Sequence, residues 1–102
     1  MNIYLSGKIA GLKRAQAMYN FSNAAEKVYD LFAGTNSINI VNPMKLPDVQ
    51  KSWADFIIRD LMILKDCDAI VMLPNWENSP GAVVEHDFAK GMGKEIKYIN
   101  AL

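Results

Sequence analysis

The stretch Trp76-Glu77-Asn78-Ser79-Pro80-Gly81-Ala82-Val83-Val84-Glu85 follows the apolar run Ala69 to Leu73 and leads into Phe88, Ala89 and Met92. It reads as a strand, a polar loop and a helix, with Ser79 as N-cap, Pro80 at the first helical position and Gly81 at the second. A helix start of this kind presents free backbone N–H groups and a positive dipole end, both suited to an anion. Glu85 follows one and a half turns later, a carboxylate among small and apolar residues. An anion cradle beside a carboxylate suggests a site for a phosphorylated or hydroxylated small molecule.

Working outward, apolar runs alternate with helix-period segments along the whole chain, without low-complexity stretches or repeats. Ile3 to Leu5 read as a buried strand closed by Ser6-Gly7. A helix from about Arg14 to Phe32 is expected to bury Met18, Phe21, Ala25, Val28 and Phe32, and to end at a left-handed Gly34. Ile38 to Val41 read as a second strand, stopped by Asn42-Pro43 because proline cannot donate to a ladder. The segment Asn42 to Gln50, with Pro43 and Pro47, is the longest irregular one and is expected to act as a mobile lid. A second helix spans about Ser52 to Lys65, with Ser52 and Asp55 as a shortened capping box. Asp68 to Leu73, Pro80 to Met92 and Glu95 to Ile99 supply a strand, a helix and a last strand.

This alternation predicts an α/β fold, a three-layer flavodoxin- or Rossmann-like parallel sheet of order 2-1-3-4 with helices on both faces. Ligands of such sheets bind beyond the carboxyl ends of the strands, where strand order reverses. Ser6 to Arg14 and Asn75 to Gly81 are therefore expected to face each other.

The chain has 102 residues, enough for one domain, and its eleven basic and eleven acidic side chains cancel. No broad positive field exists to hold duplex nucleic acid. Met1 to Gly7 lacks the basic segment and long apolar core of a signal peptide, and no run approaches the ~20 apolar residues of a membrane span. A cytoplasmic protein without membrane partners is expected. One cysteine, Cys67, and one histidine, His86, offer no spaced metal-ligand set, so no zinc site is expected. Cys67, between Asp66 and Asp68, reads as a packed small residue, because adjacent carboxylates disfavour a thiolate. His86 reads as a surface or interface residue.

Two carboxylates are out of place. The apolar stripe of the second helix is Trp53, Phe56, Ile57, Leu61 and Leu64, and Asp60 falls inside it, with Asp55 and Arg59 on the other side. A carboxylate on a buried face costs several kcal/mol unless paired, hydrogen-bonded or protonated. Asp60 is either a local cap at the stripe's edge or a functional group facing a cleft. Glu85 shares a helical face with Gly81, Ala82, Phe88 and Ala89, and is either solvated or part of the same site. Two acidic groups in unlike surroundings can divide acid, base and nucleophile roles, as in glycoside cleavage. Ser79 is at least a cap and can also meet a phosphate or sugar hydroxyl. Ser6, Gly7, Lys8 and Gly11 form a glycine-containing loop too sparse for a Rossmann or P-loop fingerprint. Trp76 either covers the core edge or stacks on a base.

Three blocks resemble the nucleoside 2-deoxyribosyltransferase-like superfamily, which includes the 2'-deoxynucleoside 5'-monophosphate N-glycosidases. They are Ile3 to Gly11; Asp60-Leu61 through Leu64 to Asp68; and Ser79 to Glu85 with Ala89 and Gly93-Lys94. The pattern of Trp76, Ser79, Gly81-Ala82 and Glu85 most resembles a short bacterial and phage subgroup. The resemblance implies Glu85 as a nucleophile on the sugar anomeric carbon and Asp60 as an acidic partner that orients substrate or handles the proton on the departing base, with no metal or organic cofactor needed. It implies Ser6, Gly7, Lys8, Gly11, Ser79 and Gly81 around substrate and phosphate, with Trp53, Trp76 and Asn42 near the base. The transferases carry Asp where this chain has Ser79 and the monophosphate glycosidases carry Ser, which tilts the expectation toward a nucleoside monophosphate. Where those glycosidases have Arg, this chain has Ala10, leaving phosphate charge to Lys8, Lys13 or Arg14. The chain also stops just past its fourth strand, where some relatives continue into a segment that reaches a neighbouring subunit. A homodimer or larger homo-oligomer is implied by the resemblance alone. The function expected is hydrolysis of a (deoxy)nucleoside 5'-monophosphate to base and sugar phosphate; the alternatives are base exchange and a non-catalytic nucleotide sensor.

Overall fold

A computed structural model describes residues 1–47 and 52–100. The elements run β1 (Asn2–Ser6), α1 (Arg14–Leu31), β2 (Asn39–Val41), a 3-10 turn (Pro43–Lys45), α2 (Trp53–Lys65), β3 (Ala69–Met72), a second 3-10 turn (Trp76–Asn78), α3 (Pro80–Gly91) and β4 (Glu95–Tyr98). The strands form one parallel sheet in the order β2-β1-β3-β4. This is the expected topology, with strand order reversing at β1 and β3.

Both central strands are buried on both faces, so each face needs its own helical cover. Ile3, Leu5, Ala69 and Val71 pack with Phe21, Ala24 and Val28 of α1. On the opposite face, Tyr4, Ile70 and Met72 pack with Leu64 of α2 and with Ala82 and Ala89 of α3. Because side chains alternate along a strand, Ser6 shares the second face with Tyr4. That face carries the polar groups that matter below.

Of the expected stripe of α1, Phe21, Val28 and Phe32 are buried, and the correction falls on Met18 and Ala25, whose places Ala17 and Ala24 take. Ala17, Phe21, Ala24 and Val28 are buried, whereas Met18 is 43% exposed. These four residues fall four, three and four apart, and the small Ala17 and Ala24 let the helix sit close on the sheet. Gly34 does lie in the left-handed region, at φ +89°.

Local signals at the other helix starts appear as read. Ser52 and Asp55 exchange capping hydrogen bonds at the start of α2, and the Ser79 side chain accepts from the Ala82 N–H at the start of α3. Asn42 does the same for the first 3-10 turn, its Oδ1 accepting from the Met44 N–H at 3.0 Å. The lid expected over Asn42 to Gln50 falls partly outside the described residues, and its first half contains that ordered turn. Among the described residues no helix is long and apolar enough to cross a membrane.

Two glycines set how closely elements approach. A Cβ on Gly7 would lie 2.8 Å from Leu73 Cβ, so the loop after β1 passes the end of β3 only without a side chain. A Cβ on Gly81 would come within 3.1 Å of Ile57, which keeps the start of α3 against α2. The first contact brings the loop after β1 against the end of β3, and the second brings the start of α3 against α2.

Candidate active site

Tyr4 and Ser6, two residues apart on β1, aim at α3 where Glu85 passes over the sheet. The Tyr4 hydroxyl donates to Glu85 Oε2 and the Ser6 hydroxyl to Glu85 Oε1, each at 2.7 Å. Tyr4 and Ser6 are fully buried and Glu85 is only 5% exposed. Each carboxylate oxygen thus has its own O–H donor, which fixes the plane of the group. Burial drives the Glu85 carboxyl up to about 7, against the pull of the Ser6 and Tyr4 donors, and the nearby Asp60 carboxylate pushes in the same direction as burial. Burial and the negative charge of Glu85 push the Tyr4 phenol far above its ordinary range, so it stays protonated and serves as a donor.

Asp60 reaches the same place from α2. It is 8% exposed and pairs with the neighbouring Arg59, whose Nη2 lies 2.8 Å from Oδ1. Asp60 and Glu85, within side-chain hydrogen-bond reach of each other, both line a cleft of about 370 Å³. Gly7, Ile9, Ala10 and Arg14 line it from the β1–α1 loop and the start of α1; Pro43, Met44 and Leu46 line it from the turn after β2. Trp53, Phe56 and Ile57 of α2 join Arg59 and Asp60, and Ser79, Pro80, Gly81 and Ala82 join Glu85. The volume is that of a small-molecule site with an apolar wall and few convergent polar groups.

Of the residues singled out in the sequence, Asp60, Glu85, Gly7, Ser79, Gly81 and Trp53 meet in this cleft, and Ser6 stands behind Glu85. Others go elsewhere. Lys8 lines a separate hollow of about 340 Å³ with Asn75 and Asn78, on the other side of the β1–α1 loop. Gly11, at φ +84°, shapes that loop without lining the cleft. Asn42 is occupied as a cap and borders a third hollow beside α1. Trp76 stacks on His86 with ring centroids 4.3 Å apart and takes the role of core cover. His86 is buried rather than at the surface, because the Trp76 ring covers it and Tyr98 and Asp87 hydrogen-bond its two nitrogens. Of the three cations considered for a phosphate, Arg14 is the one that lines the cleft.

Two site residues were missed. Tyr4 sits in a strand that reads as purely apolar, but a phenol buried on both sides needs a partner for its hydroxyl, and the two-residue period already puts it on the face of Ser6. Arg59 was placed on the far side of α2, whereas its guanidinium bends back to Asp60 and lines the cleft. Cys67 is buried as expected, and burial raises its thiol. Among the described residues no group of three or more His, Cys, Asp or Glu could hold a metal ion.

A family profile described as Domain of unknown function (DUF4406) matches residues 1–98. The chain belongs to the DUF4406 family. No curated protein matches it. Among solved structures, this DUF4406 chain is similar to a 2-desoxiribosyltransferase from Leishmania mexicana, with a TM-score of 0.58 and 17% identity over 96% of its own length. It spans 63% of that protein. At this identity the likeness is one of fold, and the DUF4406 chain shares the layered α/β architecture of that structure.

Proposed function

We propose that this chain hydrolyses the N-glycosidic bond of a nucleoside 5'-monophosphate, with Glu85 as nucleophile. One observation carries the reading: a buried carboxylate held by two O–H donors lines a small-molecule cleft beside a second carboxylate. In the first step a Glu85 oxygen bonds to the anomeric carbon as the C–N bond breaks. The bonding pair leaves with the base nitrogen, which takes up a proton that Asp60 delivers or steers. Water then attacks the same carbon, gives a proton to the Asp60 carboxylate, expels the Glu85 carboxylate and returns sugar phosphate and enzyme. The Tyr4 and Ser6 donors stabilise that carboxylate as it departs.

The cleft supports the substrate class. Its apolar side chains Trp53, Phe56, Met44 and Leu46 suit a flat base, and Arg14 with the capped start of α3 at Ser79 suits a phosphate. A second reading, base exchange between deoxynucleosides, is favoured by the name of the solved neighbour. It needs a second base to outcompete water for the glycosyl intermediate.

The test is incubation of the purified chain with nucleosides and nucleoside monophosphates, with and without an added free base, following released and exchanged bases by chromatography. The expected result is base release favouring monophosphates. Glu85→Gln should lose at least ~10³-fold and Asp60→Asn about 10²-fold. Exchange products in place of sugar phosphate would favour the transferase, and tight binding without base release a nucleotide sensor. Turnover that survives Glu85→Gln would exclude Glu85 as the nucleophile in either enzymatic reading.

A further inference from the structure

Arg59 precedes Asp60 on α2, and successive helical side chains diverge rather than face each other. Its guanidinium nevertheless folds back over its own neighbour. Nε and Nη2 both donate to Asp60 Oδ1, at 3.0 and 2.8 Å. Nη1 donates to the carbonyl of Pro47, the residue that follows the cleft-lining Met44 and Leu46. Cζ lies 5.4 Å from the centre of the Phe56 ring, one turn earlier on the helix. With its side chain 22% exposed, this cation is shielded and serves two walls of one cleft.

The two donors on one oxygen have a specific consequence. The terminal torsion of an aspartate is soft, so an unpaired carboxylate samples a broad range of orientations. Two charge-assisted bonds to Oδ1 remove that freedom and hold the carboxylate within side-chain hydrogen-bond reach of Glu85. The third bond ties the segment after β2 to the same guanidinium. A lysine could supply the charge but not the planar fork that reaches both partners.

Resting on the glycosidase reading of Asp60, the geometry points to Arg59 as a positioning residue that holds the Asp60 carboxylate beside Glu85 at the cleft and couples this orientation to the position of the Pro43–Pro47 segment. Arg59 itself takes no part in bond making. Its loss acts through Asp60 and through the wall of the base pocket.

The test compares Arg59→Met, Arg59→Lys and Asp60→Asn with the double variant Arg59→Met/Asp60→Asn in the full chain, using base release from a nucleoside monophosphate. Arg59→Met should lower kcat by ~10-fold or more and raise KM several-fold, with Arg59→Lys recovering a minor part. The double variant should be no more than ~3-fold slower than Asp60→Asn alone, because both changes remove the same contribution. Losses that multiply, or a change in KM alone, would overturn the assignment while leaving the glycosidase reading intact. A wild-type chain that releases no base would sink that reading and the positioning role of Arg59 in it together. The tie to the segment is tested without turnover by amide exchange at Lys45 and Leu46, which donate to the Asn42 and Pro43 carbonyls. Exchange ~10-fold faster in Arg59→Met at unchanged Tm supports the tie, and equal exchange overturns it.

Discussion

Glu85 shows how one residue links stability to chemistry. Its carboxyl titrates near 4.5 when unfolded and at about 7 in the fold. Between these values the folded chain keeps a proton that the unfolded chain has lost. The stability contributed by Glu85 is therefore fully present below about pH 4.5 and lost as pH rises through about 7, an amount of roughly 3 kcal/mol. Glu85→Gln keeps the shape and removes the ionisation. In urea unfolding it should match the wild type near pH 4.5 and exceed it by about 2–3 kcal/mol above pH 8; parallel curves at all pH values would mean that the site does not strain its carboxylate. Catalysis runs in the opposite direction. A nucleophile must be ionised, so kcat/KM should climb about tenfold per pH unit below 7 and level off above it. A rate independent of pH from 5 to 8 would remove Glu85 from that role.

At the scale of elements, helix starts were the most legible features. Ser52 with Asp55 and Ser79 with Pro80 act within three or four residues of sequence, and both caps form where the pattern put them. Rotation about the helix axis was less legible. On α1, apolar residues occupy adjacent positions, and contact with Leu5 and Val71 of the sheet, not periodicity, selects Ala17 and Ala24 over Met18. Arg59 was misplaced for the same kind of reason: a long side chain can curl over its own helix, and residue angle does not reveal it. The start of α3 offers a test in which capping and ligand preference separate. Ser79→Ala should cost about 1 kcal/mol of stability through loss of the cap. Ser79→Asp preserves the cap and should leave Tm nearly unchanged, while its negative charge lowers monophosphate preference by ~10-fold or more in kcat/KM. Unchanged selectivity in Ser79→Asp would take this helix start out of the phosphate site.

For the whole molecule, topology was legible because it follows from a few rules: strands alternate with helices, crossovers are right-handed, and the order 2-1-3-4 reverses between β1 and β3. That reversal predicts which loops meet, and Gly7, Ser79 and Gly81 do meet in the cleft. Contacts remote in sequence were harder to read. The Tyr4 hydroxyl and Glu85 are 81 residues apart, and their 2.7 Å bond depends on the depth at which α3 docks on the sheet, which no local pattern encodes. Lys8 and Asn42 fail for a related reason, since belonging to the right loop does not decide which side of it faces the ligand. What this architecture achieves is the convergence of β1, α2 and α3 on one carboxylate. The most direct measurement is mass spectrometry of the chain quenched during reaction with a 2'-fluoro nucleoside 5'-monophosphate, whose electron-withdrawing substituent slows breakdown of a glycosyl intermediate. The expected result is a mass increase of one sugar phosphate, mapped to the peptide that contains Glu85 and absent from Glu85→Gln. Base release accompanied by no added mass on that peptide, or by mass on another residue, would contradict the account.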